Sequence, residues 1–410
     1  MTLVEELEWR GLIKDLSSPE LVDKLNNESL TFYLGTDPTA DSLHLGHLSP
    51  FILSKRLKDH GHKSILLVGG ATGRIGDPRP TAERSIIPED VLASNLEGIR
   101  KQVSDLFGCD EVVDNYDWLK NINFIDYLRD FGKYFPVGYM LQKDTVRRRL
   151  EVGITYAEFS YMIMQAMDFD HLNQTKNVTL QIGGSDQWGN ITAGVELIRK
   201  KNEKQVYALS MPLILDKEGN KFGKSEGNAL WLDKEKTSSY DMYQYLINID
   251  DSMVISYLKV FTFLTKEEIE KIEKEHLEKP ELRLAQKTLA KELIIFLHGS
   301  SAYDDALRIS EALFKGEIKN LSAEEIKDVF KELDPYNLTE ERNIIDLLVD
   351  AQVCSSKREA REFITNNSIS INGEKINDLE FIINKEIAIE EEYIIIRRGK
   401  KKYHIIKLDY

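Results

Sequence analysis

Up to about residue 215, short apolar runs alternate with longer stretches in which apolar residues recur every three or four positions. The runs 30–34, 64–68 and 178–182 read as strands, and 90–106 and 192–201 as helices. Such alternation predicts a parallel α/β sheet, whose ligands collect at the carboxyl ends of the strands. From about 236 to 320 the strand pattern fades. Segments 240–249, 266–275, 282–297 and 302–314 carry helical periodicity, punctuated by Pro280 and Gly299. Residues 315–340, with Gly316, Pro335 and Asn337, read as a helical segment and linker. Beyond Arg342 helices are predicted over 343–351 and 355–361. Strand-like runs follow at 368–374, 387–390, 393–397 and 403–408, with Asn372-Gly373 as a hairpin turn. The pattern divides the chain into an α/β domain (1–230), a helical domain (231–320), a linker (321–341) and a small α+β domain (342–410).

Composition changes this picture little. The 410 residues suffice for two or three cores, and 42% hydrophobic with 30% charged residues is ordinary for a soluble protein. No run approaches the 18 apolar residues of a membrane span. The first residues, Met1-Thr-Leu-Val-Glu-Glu, lack the basic-then-apolar order of a secretion signal. Two cysteines, Cys109 and Cys354, fall in different predicted domains with no disulfide or metal spacing, which points to a reducing cytoplasm. The net charge of −15 argues against general affinity for nucleic acid. Its distribution qualifies that argument. Residues 342–410 carry 12 Lys and Arg against 12 Asp and Glu, so all the excess lies upstream. This tail also holds the densest basic run, Arg397-Arg-Gly-Lys-Lys-Lys402.

Candidate chemistry starts at Thr31-Phe-Tyr-Leu-Gly-Thr-Asp-Pro-Thr-Ala-Asp-Ser-Leu-His-Leu-Gly-His47. An apolar run reaches Gly35, where backbone bends or approaches a ligand closely. A turn follows, with a helix predicted to start near Asp41 or Ser42. His44 and His47 then stand one turn apart beside a positive helix end, which suits an anion. Alone, that spacing is more often surface polarity or a metal pair. A second element is Lys221-Phe-Gly-Lys-Ser225, behind the turn-rich 216–220. Two lysines on a glycine-bearing loop form a polyphosphate clamp, although a lone basic loop is usually solvated surface.

His-Leu-Gly-His and Lys-Phe-Gly-Lys-Ser together resemble the two signature motifs of class I aminoacyl-tRNA synthetases. Further stretches narrow the resemblance: Val68-Gly-Gly-Ala-Thr-Gly-Arg-Ile-Gly-Asp-Pro78, Glu158-Phe-Ser-Tyr-Met-Ile-Met-Gln-Ala-Met-Asp168 and Gln181-Ile-Gly-Gly-Ser-Asp-Gln-Trp-Gly-Asn190. The chain resembles bacterial tyrosyl-tRNA synthetases from residue 3 to residue 410. The resemblance implies a Rossmann-like catalytic domain, a helical anticodon-stem-binding domain and an S4-like RNA-binding domain. It implies activation of L-tyrosine by ATP to tyrosyl-adenylate and pyrophosphate, then transfer to tRNA(Tyr). Magnesium accompanies ATP, with no other cofactor and no protein-held metal. The family is a homodimer, and the apolar segment 124–140 is the candidate interface.

Residue roles follow from the same match. His44, His47, Lys221 and Lys224 would meet charge on the phosphates. Gly35, Asp37, Gly46, Asp186 and Ser225 would join them around ATP. Tyr33 and Asp168 would hold the phenolic hydroxyl. Asp77, Tyr161 and Gln165 would hold the ammonium group, and Gln187 the activated carboxyl. Tyr161, Gln165 and Asp168 lie at i, i+4 and i+7, one helix face, and Met162, Met164 and Met167 are core. In the tail, Lys357, Arg358 and Arg361 would form a basic helix face against tRNA, with Arg397 and Arg398. One departure stands out. Relatives often carry a lysine in the loop after Gly-Asp-Pro, whereas Arg79-Pro-Thr-Ala-Glu-Arg84 has none. Arg84 matches the family arginine, and Arg79 is the candidate replacement. Pro50 also removes a backbone donor early in the histidine helix. Two other readings stand beside this one. A tryptophanyl enzyme on the same fold is disfavoured by a hydroxyl-reading pair. A catalytically silent RNA-binding regulator is disfavoured by intact histidine and lysine motifs.

Overall fold

The computed structural model describes residues 1–78, 87–150, 153–225, 228–399 and 402–410. Its centre is a six-stranded sheet: β1 (Asp15–Leu16), β2 (Thr31–Thr36), β3 (Lys63–Val68), β4 (Glu111–Asp114), β5 (Leu180–Gly184) and β6 (Tyr207–Met211), in the order β1-β6-β5-β2-β3-β4. All neighbours are parallel except the edge pair β1–β6. Chain order runs outward from β2 through β3 to β4, then returns to β5 and β6 on the other side. The carboxyl ends of β2 and β5 therefore flank the switch point where an open α/β sheet opens a crevice.

Three helices frame that crevice: α1 (Leu45–Asp59), α2 (Tyr156–Lys176) and α3 (Trp188–Asn202). α1 starts later than predicted, because His44 rather than Asp41 or Ser42 is its N-cap. The His44 ring accepts from the Gly46 amide, which gives the helix its cap without a Ser, Thr or Asp. α2 begins in a capping box of Thr155 and Glu158. Glu158 also accepts both Arg149 guanidinium nitrogens, at 2.7 and 2.9 Å, with both side chains buried. Met162 and Met167 are core, whereas Met164 is only half-buried.

The described residues fall into two compact units, Met1–Thr237 with Ile247–Leu297, and Ser238–Leu246 with His298–Tyr410. This partition differs from the boundaries at 230 and 320. Helices Asp251–Phe261, which the periodicity did not reveal, and Lys266–Glu278 belong with the sheet. Arg10 explains part of the attachment, donating to the carbonyls of Lys259 at 2.9 Å and Leu264 at 2.6 Å. Helix Leu284–His298 is held as well, through Phe296 on Phe107, which in turn stacks on Phe51, at 5.8 and 5.0 Å.

In the second unit a five-stranded sheet carries strands Ile369–Ile371, Glu374–Lys375, Tyr393–Arg398, Lys402–Leu408 and Tyr336–Leu338. Asn372 and Gly373, both at positive φ, turn the predicted hairpin. Segment 321–341 holds a helix, Ala323–Val329, and the parallel edge strand Tyr336–Leu338 in place of a plain linker. The run 387–390 makes only an isolated bridge through Ile389. Strand Tyr393–Arg398 is buried on both faces. Ile394 and Ile396 pack with Leu347, Leu348 and Ile364, and Ile395 packs with Ile309 and Ile326.

Candidate active site

At the β2–β5 switch point lies a cavity of about 260 Å³. Tyr33, Asp77, Tyr161, Gln165, Asp168 and Gln187, the six residues expected around tyrosine, all line it. So do Gly35, Asp37, Gly46, His47, Asp186 and Lys221 from the nucleotide set. Lys224 and Ser225 sit in a short strand adjoining the loop, and their side chains lie outside the described residues. Arg79 and Arg84 lie outside them altogether.

The histidine and lysine motifs meet directly. His44 and His47 stack at 3.8 Å between centroids. Gly46 N–H donates to His44 Nδ1 at 3.0 Å, and His44 N–H to His47 Nδ1 at 3.5 Å. Both Nδ1 atoms act as acceptors, which assigns each ring proton to Nε2. The lysine loop closes on the same helix end. Gly223 takes φ +84°, and a Cβ there would stand 2.4 Å from Leu45 Cβ. A Cβ on Gly46 would stand 2.8 Å from the His44 ring. Only glycines allow both approaches. Lys221 Nζ rests 3.5 Å from Asp186 Oδ2.

At the deep end, Asp168 is buried and accepts from Trp118 Nε1 at 2.9 Å and Asn115 Nδ2 at 3.0 Å. Burial pushes its carboxyl up to about 8. The two hydrogen bonds oppose that rise, and the nearby charges of Asp37 and Asp114 add to it. Tyr33 lies on β2 beside it, fully buried, its hydroxyl without a protein partner. Burial first, and Asp168 second, hold the Tyr33 phenol well above its ordinary value. Tyr161 Oη donates to Asp37 Oδ2 at 2.9 Å, and Thr72 Oγ1 to Asp37 Oδ1 at 2.7 Å. Asp37, expected beside ATP, is thus tied to the helix face of the tyrosine set. Asp77 accepts from Gln187 Nε2 at 2.7 Å and Asn190 Nδ2 at 3.1 Å.

Asn115, Trp118, Thr72 and Asn190 were not legible as site residues. Asn115 and Trp118 follow the four-residue strand β4, too short and mixed to read as a strand that delivers them. Asn190 follows from the quoted motif but had no assigned role.

In the second unit, Lys357, Arg358 and Arg361 are exposed on helix Lys357–Thr365, with Lys357 paired to Asp346 at 2.6 Å. Arg398 instead donates to the Val353 carbonyl at 2.6 Å and stacks on Phe363. Strand alternation puts Arg397 on the opposite sheet face, with Ile395. The five cations therefore do not form one surface.

The family model of class I tRNA synthetases for tryptophan and tyrosine matches residues 25–315. The chain belongs to this family. A second model, the tyrosine–tRNA ligase C-terminal domain, matches residues 325–406. Two solved structures are similar at 32% identity, both C-terminally truncated mitochondrial tyrosyl-tRNA synthetases. That of Aspergillus nidulans has a TM-score of 0.70 over 76% of this chain and 94% of its own. That of Coccidioides posadasii has a TM-score of 0.67 over 75% and 91%. The tyrosyl-tRNA synthetase of Archaeoglobus fulgidus, at 17% identity and TM-score 0.57 over 75% of this chain and 100% of its own, shares the fold. The activity is ATP-dependent ligation of tyrosine to tRNA. No helix among the described residues is long and apolar enough to cross a membrane.

Proposed function

We propose that the cavity at the β2–β5 switch point holds tyrosine and the ATP α-phosphate together, with roles divided by depth. The observation that carries this reading is the convergence of twelve sequence-assigned residues on one cavity. Tyr33 and Asp168 take the phenol at the deep end. Tyr161, Gln165 and Asp77 take the ammonium group, with Asp37 orienting Tyr161 through their hydrogen bond. Gln187 then faces the carboxylate, which attacks the α-phosphorus as pyrophosphate departs. A carboxylate is already a nucleophile, so the protein's task is to position it and stabilise charge. His44 and His47 would donate from Nε2. Lys221 would leave Asp186 for the phosphates and act with Lys224, while Gly35, Gly46 and Ser225 allow or add contacts to ATP. Among the described residues no three His, Cys, Asp or Glu side chains converge as a metal cage. The magnesium proposed with ATP would be held by phosphate oxygens and water.

Lys221→Ala should slow pyrophosphate exchange by roughly a hundredfold, the scale of a lost charge-stabilising donor. Tyrosine binding without ATP should stay unchanged. Normal exchange in the variant would remove Lys221 from the mechanism.

Lys357, Arg358 and Arg361 are proposed as tRNA phosphate contacts, supported by their exposure on one helix. A homodimer is proposed through 124–140, where Phe124, Ile125 and Val137 are each more than 60% exposed. A monomeric mass at micromolar concentration would contradict it. The bacterial type is proposed from the quoted motifs, and a cytoplasmic location from the two free cysteines; import of the full chain into an organelle would contradict the latter.

A further inference from the structure

Helix Glu89–Phe107 holds a glycine, Gly98, in its interior, where glycine weakens a helix. Packing explains it: a Cβ there would stand 2.3 Å from the Asp41 carbonyl oxygen. About one turn to either side, the same face carries two amides. Asn95, buried, donates from Nδ2 to the Pro38 carbonyl at 3.1 Å. Gln102 closes a ring of hydrogen bonds with the chain just before His44. Its Oε1 accepts from Leu43 N–H at 2.7 Å, its Nε2 donates to Ser42 Oγ at 3.0 Å, and Ser42 Oγ donates to the Leu43 carbonyl at 2.8 Å. Asn95, Gly98 and Gln102, at i, i+3 and i+7, thus meet segment 38–43, the link from β2 to the histidine helix. Ser42 and Leu43 are 2% and 1% exposed, so water does not compete for these bonds. The chain beyond the lysine motif fixes the same link. The Leu43 carbonyl accepts from Leu232 N–H at 2.8 Å, and Lys236 Nζ pairs with Asp41 Oδ1 at 2.8 Å.

We propose that Gln102 is a positioning residue for adenylate formation: with Asn95 and Gly98 it fixes the link 38–43, so that the His44 and His47 rings stand ready for the phosphates. This rests on the reading of the two histidines as phosphate donors. Gln102 does not line the cavity, so it acts through the backbone that it holds. Leu43 N–H on Gln102 and Leu45 N–H on the Leu230 carbonyl bracket His44. Donors held in this way meet developing charge without reorganising, which is where preorganised groups gain their value. Without the Gln102 amide, Leu43 N–H would be buried with no partner, and the link would shift to find one. A shift of about 1 Å is enough to forfeit most of what a positioned group contributes.

The test is pyrophosphate exchange by the full-length enzyme, with kcat and the KM values for tyrosine and ATP measured separately. Gln102→Met keeps length and removes the hydrogen bonds. It should lower kcat by about tenfold or more, the scale of a misplaced group. Both KM values should stay unchanged, because the histidines would meet charge that develops only in the transition state. Gln102→Glu keeps an acceptor for Leu43 N–H and should recover most of the rate. Should Gln102→Met not fold, Gly98→Ala takes its place: it favours the helix itself but presses on the Asp41 carbonyl, and it should lower kcat in the same way. His44→Asn, which can still cap the helix, is the control for the histidine. Slow exchange in His44→Asn with a wild-type kcat in Gln102→Met would overturn the role of Gln102 and leave the histidine reading standing. A glutamate variant as slow as the methionine one, or KM values that rise as kcat falls, would also overturn it, since either marks a general loss of structure. Normal exchange in His44→Asn would overturn the histidine reading and this proposal with it.

Discussion

Asp168 is the residue whose environment most departs from its sequence reading. A carboxylate beside a phenol is expected to be ionised, yet burial holds this carboxyl protonated up to about pH 8. An unfolded chain releases the same proton near pH 4. Between those values the folded state binds more protons, so this group's contribution lowers stability as pH rises. Asp168→Asn cannot titrate and should flatten that slope. Its overall stability should be lower, because an amide cannot accept from both Trp118 and Asn115. Thermal unfolding of the ligand-free proteins between about pH 5 and pH 8 checks this: the wild type should lose Tm more steeply than the variant. Parallel curves would mean that Asp168 is ionised throughout. The residue itself was assigned through the family resemblance, with which its helix-face spacing from Tyr161 and Gln165 agrees. Its two donors were not, since β4 is short and Asn115 reaches Asp168 only through the fold.

Among elements, the junction of α1 with the lysine loop carries the most constraint. Leu45 N–H donates to the Leu230 carbonyl, and Leu230 N–H to the Gly223 carbonyl, at 2.8 and 3.0 Å. These bonds stitch the loop across the start of the histidine helix. Gly223→Ala faces two penalties there. Its φ of +84° disfavours any side chain, and the new Cβ would overlap Leu45. The backbone term alone is about 1 kcal/mol, and the overlap adds to it. The expected result is slowed adenylate formation, with the deep tyrosine pocket intact. Fluorescence titration with tyrosine beside pyrophosphate exchange separates the two. Unimpaired exchange would show that the loop does not need this approach. The motifs themselves were plain in the sequence, but their contact was not, because about 170 residues of chain separate them.

At the scale of the molecule, the cavity lies wholly within the first compact unit. Removing the tail should therefore spare tyrosine activation and abolish tRNA charging. Where the cut falls decides how the product behaves. A chain ending at Glu341 keeps helices Ser300–Lys315 and Ala323–Val329 but strips the sheet from Ile309, Ile326 and Phe330. It should bind a hydrophobic dye, whereas a chain ending near His298 should bind less. Equal tRNA charging by truncated and full-length proteins would refute the assignment of tRNA contacts to the tail.

The sequence by itself determined the alternation of strands and helices, the histidine and lysine motifs, and the polar face of α2. These are local properties: an apolar run, a turn residue or a helical spacing has its meaning within a dozen residues. Tertiary structure alone decided that helices Asp251–Phe261 and Lys266–Glu278 join the first unit, since their partners Arg10 and Trp9 lie far away in the chain. It separated Arg397 from Arg398, because a strand buried on both sides sends adjacent residues to opposite faces. It also raised the Asp168 carboxyl and left Gln181 Oε1 enclosed without a hydrogen-bond partner, for burial is a property of the folded molecule and no spacing along the chain encodes it.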